Sequence, residues 1–427
     1  MRVLKIFDGA FPWDVRVEKV SETLLRAGHE VVLVCRNRRF LPRRERLTSG
    51  LEIVRPPTAH GALSFPFFLN PLWVACVRSV LHEFRPDLVI VRDLPLAPLA
   101  LWCARSERVP VIADLAEPYP DSLRTHFRLG RPTPLDLLVR NPYLADFVER
   151  YVVRRIDHAV VVCPEAGWRL ERRGLPSGRW TEVRNTAMLE RFVRTSAPVP
   201  EVEGLEGRFL LLFSGLISHD RGLDTALEAL ASLDQRAPGR YGLLIVGEGP
   251  ARRELEVRVK QLSLDGDVRF TGWLDYARLP DIISRAQVGL LPFHACHHID
   301  ASLANRLFEY MAHGLPIIAS DVRPMTRVLE DTHCGVSFPS GDARALAEAI
   351  ETLAGAPDLR ALQACAGQAA VEKLYNWGVD GARLLAVVES FAGRSVARSG
   401  GVPMWVVGEA PLLTAGAQQA AGGSRTH

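Results

Sequence analysis

Short apolar runs alternate with amphipathic stretches along most of this chain, and no other feature narrows the possible folds as far. VLKIF, HEVVLVCR, LEIVRP, DLVIVRD, VPVIADL and HAVVVC read as strands in the first half, and FLLLFSG, YGLLIVGEG, VRFTGW, VGLLPF and PIIAS in the second. Between them, segments such as VEKVSETLLRAG and LDTALEALASL carry apolar residues three and four apart, the helical period. Continuous apolar strands separated by helices form parallel sheets covered on both faces. The series breaks at TSAPVPEVEGLEG, residues 195–207, whose Pro, Gly and charge are those of a linker. At 427 residues the chain exceeds what one core organises. The expectation is α/β: two doubly wound domains, 1–195 and 207–375, facing across a cleft. GARLLAVVESFAG predicts a terminal helix within 376–395 that packs back on the first domain, and the Gly/Ala-rich 396–427 reads as a disordered tail. Doubly wound sheets bind ligands beyond the carboxyl ends of their strands, so the turns that follow strands are the places to search.

Composition removes several classes. No apolar run reaches the roughly 18–20 residues that span a bilayer. The opening MRVLKIFDGAF holds Lys5 and Asp8 and reads as a strand rather than a signal peptide. Seven scattered cysteines with no CxxC spacing suit a reducing cytoplasm and offer neither a disulfide framework nor a Cys-based zinc site. The net charge of +3 conceals a split: residues 1–200 hold 31 Lys+Arg against 22 Asp+Glu, and the remainder 21 against 27. A basic first half predicts an anionic partner on that side. Its sharpest cluster, RNRRFLPRRER at 36–46, mixes six arginines with Phe40 and Leu41, which suits the inner face of an anionic membrane. Arg38, Arg39, Arg43 and Arg44 are the candidates for that contact, and a solvated loop is the competing reading. No recognition motif accompanies the charge, so nucleic acid is not an expected partner.

After the first strand, DGAFPWDVRVEKV places Gly9 where backbone can approach a ligand and Arg16 in the first turn of a helix starting near Asp14. After LLLFS, Gly215 closes a strand and Arg221-Gly222 precedes a helix, an arrangement suited to a diphosphate. GEGP, starting at Gly247, repeats the strand–Gly-turn–helix theme. Asp265-Gly266-Asp267 looks like a metal-binding DxD, but it precedes a strand and Asp-Gly is ordinary turn chemistry. HACHHID, 294–300, lies on the ligand side of the sheet without standard zinc spacing. In NRLFEYMAHGLPIIASD, 305–321, Leu307, Tyr310 and Met311 make an apolar stripe while Arg306 and Glu309 share another face. Elsewhere such a pair is a surface ion pair. Here the helix starts at a strand's carboxyl end, so Arg306 can meet phosphates and Glu309 can accept ribose hydroxyls.

These segments resemble the GT-B glycosyltransferases, and within them glycosyltransferase family 4. NRLFEYMAHGLPIIASD is similar to the family's donor-site segment, FSGLISHDRGLDTALEAL to its G-R-L-x₃–₄-K-G-x-D segment, and LLIVGEGP, VRFTGWL and VGLLPF follow in the family's order. The likeness spans about residues 1–390 and is strongest over 209–340. It implies two Rossmann-like domains, a nucleotide-sugar donor held by the second, a glycan or lipid-linked acceptor on the first, and metal-independent transfer with retention in polysaccharide or glycoconjugate synthesis. No cofactor is expected. By position, Glu309 would bind the ribose; Arg221 and Arg306 the diphosphate; Gly272 and Trp273 would lie near the base; and Gly9, Gly215, Gly247, Asn305 and Leu307 would complete the donor site. Arg16 would stand on the acceptor side. Three positions depart from the pattern: Leu216 replaces a diphosphate arginine, Ala301 the first Glu of a Glu pair, and Ala116 a first-domain histidine. Glu117 is the first substitute for that histidine, giving Arg221, Arg306 and Glu117 as candidate catalytic residues. A nucleotide-sugar 2-epimerase and an inactive nucleotide-sugar-binding protein are the competing functions.

Overall fold

A computed structural model describes residues 1–12, 14–37, 41–58, 70–129, 140–191, 193–195 and 197–392. Arg38, Arg39, Phe40 and the tail at 396–427 lie outside the described residues. The strands are β1 Arg2–Ala10, β2 Glu30–Arg36, β3 Arg44–Arg46, β4 Glu52–Val54, β5 Leu88–Arg92, β6 Val111–Leu115, β7 His158–Val161, β8 Trp180–Glu182, β9 Phe209–Ser214, β10 Tyr241–Val246, β11 Val268–Gly272, β12 Val288–Leu291, β13 Ile317–Ser320 and β14 Gly335–Phe338. They form two sheets, in the orders β3-β4-β2-β1-β5-β6-β7-β8 and β11-β10-β9-β12-β13-β14. All pairings within them are parallel except β3 with β4.

The central strands are buried on both faces, as their unbroken apolar runs require. In the first sheet Leu4, Ile6, Val89 and Val91 face one layer of helices, with Trp73, Leu81 and Leu99. Val3, Leu33, Leu88 and Ile90 face the other, where helix Val15–Arg26 supplies Val17, Val20 and Leu24. Asp14 caps that helix by accepting from the Val17 N–H at 2.8 Å, which fixes where it leaves the cleft edge. Helix Trp377–Glu389 covers the same layer with Leu384, Val387 and Val388, each contributing about 1.5–3 kcal/mol of burial. Trp377 Nε1 donates to Thr23 Oγ1 at 2.8 Å, and Lys19 Nζ sits 4.7 Å above the indole.

Three strands have no counterpart among the apolar runs. β3 lies inside the arginine cluster, where Arg43 O accepts from the Arg55 N–H at 2.8 Å. Arg55 is fully buried and donates to Glu45 Oε2 at 2.8 Å, while Arg44 pairs with Glu83. The last three residues of the expected basic loop, Arg44–Arg46, therefore form an antiparallel edge strand, and charge is what keeps such an edge from pairing with another chain.

Candidate active site

Among the parallel strands the order of each sheet reverses once, next to β1 and β5 in the first and next to β9 and β12 in the second. Ligands settle where neighbouring strands lead to opposite sides. The residues at these reversals line one cavity of about 350 Å³. Arg16, Arg92, Ala116, Glu117 and Asn185 come from the first lobe, and Gly215, Leu216, Arg221, Phe293, His298, Asn305 and Arg306 from the second.

Arg221 reaches the cavity from a tight turn, His219–Arg221. Gly222 follows with φ 64°, and a Cβ there would stand 1.8 Å from Pro292 O, so only glycine lets the turn press against the end of β12. The Arg221 guanidinium lies 4.6 Å from the centre of the Phe293 ring. Arg306 lies in the first turn of helix Asn305–Ala312, whose N-terminus has no side-chain cap. Its Nε donates to Ser214 O at 3.2 Å, tying it to the end of β9, and its Nη1 donates to Glu309 Oε2. Glu309 is only 4 % exposed, and its other oxygen accepts from Tyr276 Oη at 2.9 Å. Burial and the Glu309 carboxylate together push the Tyr276 phenol up from its ordinary value. Thus the Arg306–Glu309 pair forms, but as a half-sunken clamp rather than a surface bridge. Each carboxylate oxygen keeps lone-pair capacity for a further donor.

Several expected site residues are employed otherwise. Leu307 is fully buried in the core, on the stripe facing away from the cavity. Gly247 lies against backbone: a Cβ there would be 1.9 Å from Gly215 O, and its N–H donates to Gly272 O at 3.0 Å. Gly9 makes room for the Phe7 ring, whose Cζ would stand 2.3 Å from an added Cβ. Trp273 is exposed on the turn after Gly272, and neither lines the cavity. Arg16, expected on the acceptor side, is 1 % exposed and lines the first-lobe wall of the cleft. Its Nε and Nη2 clasp Asp114 at 2.7–3.0 Å and its Nη1 donates to Arg184 O at 3.3 Å. Burial alone would raise the Asp114 carboxyl, but Arg16 and Arg92 hold it below its ordinary range. Asp267 of the DxD-like turn pairs with Arg208, away from the cleft. The histidines of HACHHID separate: His294 bonds Asp224 at 2.8 Å, His297 lines another pocket, and His298 enters the cleft.

Two groups escaped the sequence reading. Arg92 ends β5 with Nε and Nη1 buried and unbonded, its closest carboxylate contacts being 3.6 Å away at Asp93 and Asp114. It brings a cation to the cleft that offers Leu216 where an arginine was expected. A charged pair closing an apolar strand was the available signal. His298 approaches Glu117, with Nε2 3.6 Å from Glu117 Oε2. The nearby imidazole, followed by Arg221 and Arg92, holds the Glu117 carboxyl below its ordinary range, which keeps Glu117 an anion near neutrality.

Two doubly wound lobes whose strand ends send arginines into a shared cleft have the GT-B architecture. Residues 199–368 match the family described as glycosyl transferases group 1, and residues 14–186 the glycosyl transferase 4-like domain. The chain belongs to the GT4-like glycosyltransferases. It is 28 % identical over 246 residues to an alpha-D-kanosaminyltransferase of Streptomyces kanamyceticus, covering 54 % of this chain and 59 % of that protein. It is 27 % identical to the GDP-mannose-dependent alpha-(1-6)-phosphatidylinositol dimannoside mannosyltransferase of Mycobacterium tuberculosis, covering 88 % of this chain and 92 % of the relative. Among solved structures, sucrose-phosphate synthase from Thermosynechococcus elongatus superposes with a TM-score of 0.74 at 18 % identity over 92 % of this chain and all of that one, which shows a common fold. The protein is thus a glycosyltransferase, and the epimerase reading has no support among these relatives.

Proposed function

We propose that the cleft binds a nucleoside diphosphate sugar and transfers its sugar, with retention, to a lipid-linked or glycan acceptor in glycoconjugate synthesis. The observation that carries this reading is the convergence of Arg221, Arg306 and the uncapped N-terminus of helix Asn305–Ala312 on one cavity. Departure of the nucleotide concentrates negative charge on the diphosphate, and preorganised cations aimed at it lower the barrier. In this reading the arginines and the helix N-terminus meet the charge of the diphosphate, no metal ion takes part, and Glu309 holds the ribose. GDP-mannose is the first donor to test, because a relative matched over most of both chains is GDP-mannose-dependent. That relative's phosphatidylinositol-based acceptor also makes a lipid-linked acceptor the first choice here.

A membrane-facing first lobe fits this acceptor. Arg43 and Arg44 line a surface pocket with Leu72 and Cys76. A second surface supports the same partner: helix Pro142–Val153 presents Tyr143, Phe147 and Tyr151 on one side, the first two 79 % and 69 % exposed, with Arg155 stacked 3.9 Å over Tyr151. Aromatic side chains flanked by arginine suit the interface of an anionic bilayer. No helix among the described residues is long and apolar enough to cross a membrane.

The test is incubation of the purified chain with GDP-mannose and UDP-glucose, with and without a phosphatidylinositol-containing lipid extract and with EDTA throughout. Sugar transferred to lipid, with its anomeric configuration kept, supports the reading. Binding without turnover in any combination makes the chain a nucleotide-sugar-binding protein, and turnover that EDTA abolishes removes the metal-free mechanism.

A further inference from the structure

We infer that His298, from the second lobe, together with Glu117, from the first, forms the subsite for a hydroxyl of the transferred sugar. This rests on the nucleotide-sugar reading of the cleft. His298 is 6 % exposed, and its Nε2 has no hydrogen-bond partner. A buried polar nitrogen left unbonded costs free energy, so such a group in a binding cleft marks a place that a ligand completes. The imidazole is flanked by carboxylates just beyond hydrogen-bond reach, Glu117 Oε2 at 3.6 Å from Nε2 and Asp220 Oδ2 at 3.9 Å from Nδ1.

The surroundings select the ligand group. Two carboxylates oppose a phosphate. A hydroxyl carries one donor and two acceptor sites, so it can donate to Glu117 while pairing with Nε2 in whichever form the imidazole takes. The location selects which hydroxyl-bearing part of the donor it is. Asp220 immediately precedes Arg221, whose charge reaches Glu117. In a nucleotide sugar, the group attached to the diphosphate on the side away from the nucleoside is the transferred sugar. Ala116 lines this part of the cavity without a polar group, so the sugar's polar partner has to come from elsewhere. Because Glu117 and His298 belong to different lobes, a hydroxyl between them also couples sugar recognition to the fit of the lobes.

The test compares wild type with His298→Ala and His298→Gln, using GDP and GDP-mannose, and UDP and UDP-glucose, by calorimetry and by initial rates of donor turnover. Loss of one hydrogen bond to the sugar predicts that His298→Ala binds the bare nucleoside diphosphate within about twofold of wild type. The affinity ratio of nucleotide sugar to nucleoside diphosphate should fall about tenfold, and turnover at least as far. His298→Gln, which keeps a hydrogen-bonding group, should recover part of both. Equal losses for diphosphate and nucleotide sugar would overturn the assignment, as would unchanged ratios and rates. A lowered thermal midpoint in both variants with an unchanged ratio would make His298 a structural residue. If wild type binds neither nucleoside diphosphate, the donor reading itself fails and the subsite falls with it.

Discussion

Glu309 offers the sharpest test of how the cleft works, because its carboxylate has two jobs. It receives Arg306 Nη1 on one oxygen and Tyr276 Oη on the other, and in the proposed complex it also accepts ribose hydroxyls. Hydrogen bonds to a charged group contribute about 1.5–3 kcal/mol. Glu309→Ala should therefore weaken GDP or UDP binding by roughly 10- to 150-fold. It should also destabilise the fold. Removing one member of a fully buried pair costs about 3–5 kcal/mol, but Arg306 faces the cavity and can be rehydrated, so about 1–3 kcal/mol is expected here. Tyr276→Phe separates the two jobs. It deletes one donor to the carboxylate, costs about 1.5–3 kcal/mol of stability and leaves the carboxylate in place, so nucleotide affinity should change less than about threefold. Calorimetric titration with GDP and UDP, run beside urea denaturation, reads both quantities. Glu309→Ala that binds nucleotide as wild type does would refute the ribose assignment. Equal affinity losses in Glu309→Ala and Tyr276→Phe would show that the Tyr276–Glu309 hydrogen bond, rather than a direct contact of the carboxylate with ribose, carries the effect.

Arg221→Ala and Arg306→Ala should each lower kcat by more than they raise KM, because diphosphate charge grows as the sugar–phosphate bond breaks; a double variant with wild-type rates would exclude both. Asp114→Ala should lose about 3–5 kcal/mol of stability by stranding the buried Arg16, and Arg16→Met combined with Asp114→Leu should lose less than the sum of the single changes, with additive losses contradicting the clasp. Lys5 and Lys19 are lowered by burial from 10.5 to about 7. Between those values the unfolded chain binds protons the folded chain does not, so the thermal midpoint should rise from pH 7 to pH 9 and rise less in Lys5→Met. A midpoint that falls in wild type would refute this. Co-sedimentation with anionic vesicles should be lost at high salt and reduced by Tyr143→Ser with Phe147→Ser, with Arg43→Ser and Arg44→Ser adding to the loss; protein that stays in the supernatant at low salt would end the membrane reading.

The sequence by itself determined what depends on neighbours along the chain. Periodicity is local, so the apolar runs placed most strands, and the strands missed were short ones such as β3, whose charged residues obey an edge's rules rather than a core's. Helix spacing likewise put Arg306 and Glu309 within reach of each other, and the order of the second-half segments was enough to suggest the family. Only the tertiary structure decided which distant charges meet. Arg16 and Asp114 stand 98 residues apart, and nothing near either marks the arginine as a buried strut rather than a surface cation. His298 looked like one of three loop histidines until folding sent each to a different partner and brought this one to Glu117. The physical reason is that a side chain's role in a cleft follows from the dielectric and the partners that packing supplies, and those come from segments that only the sheet order brings together.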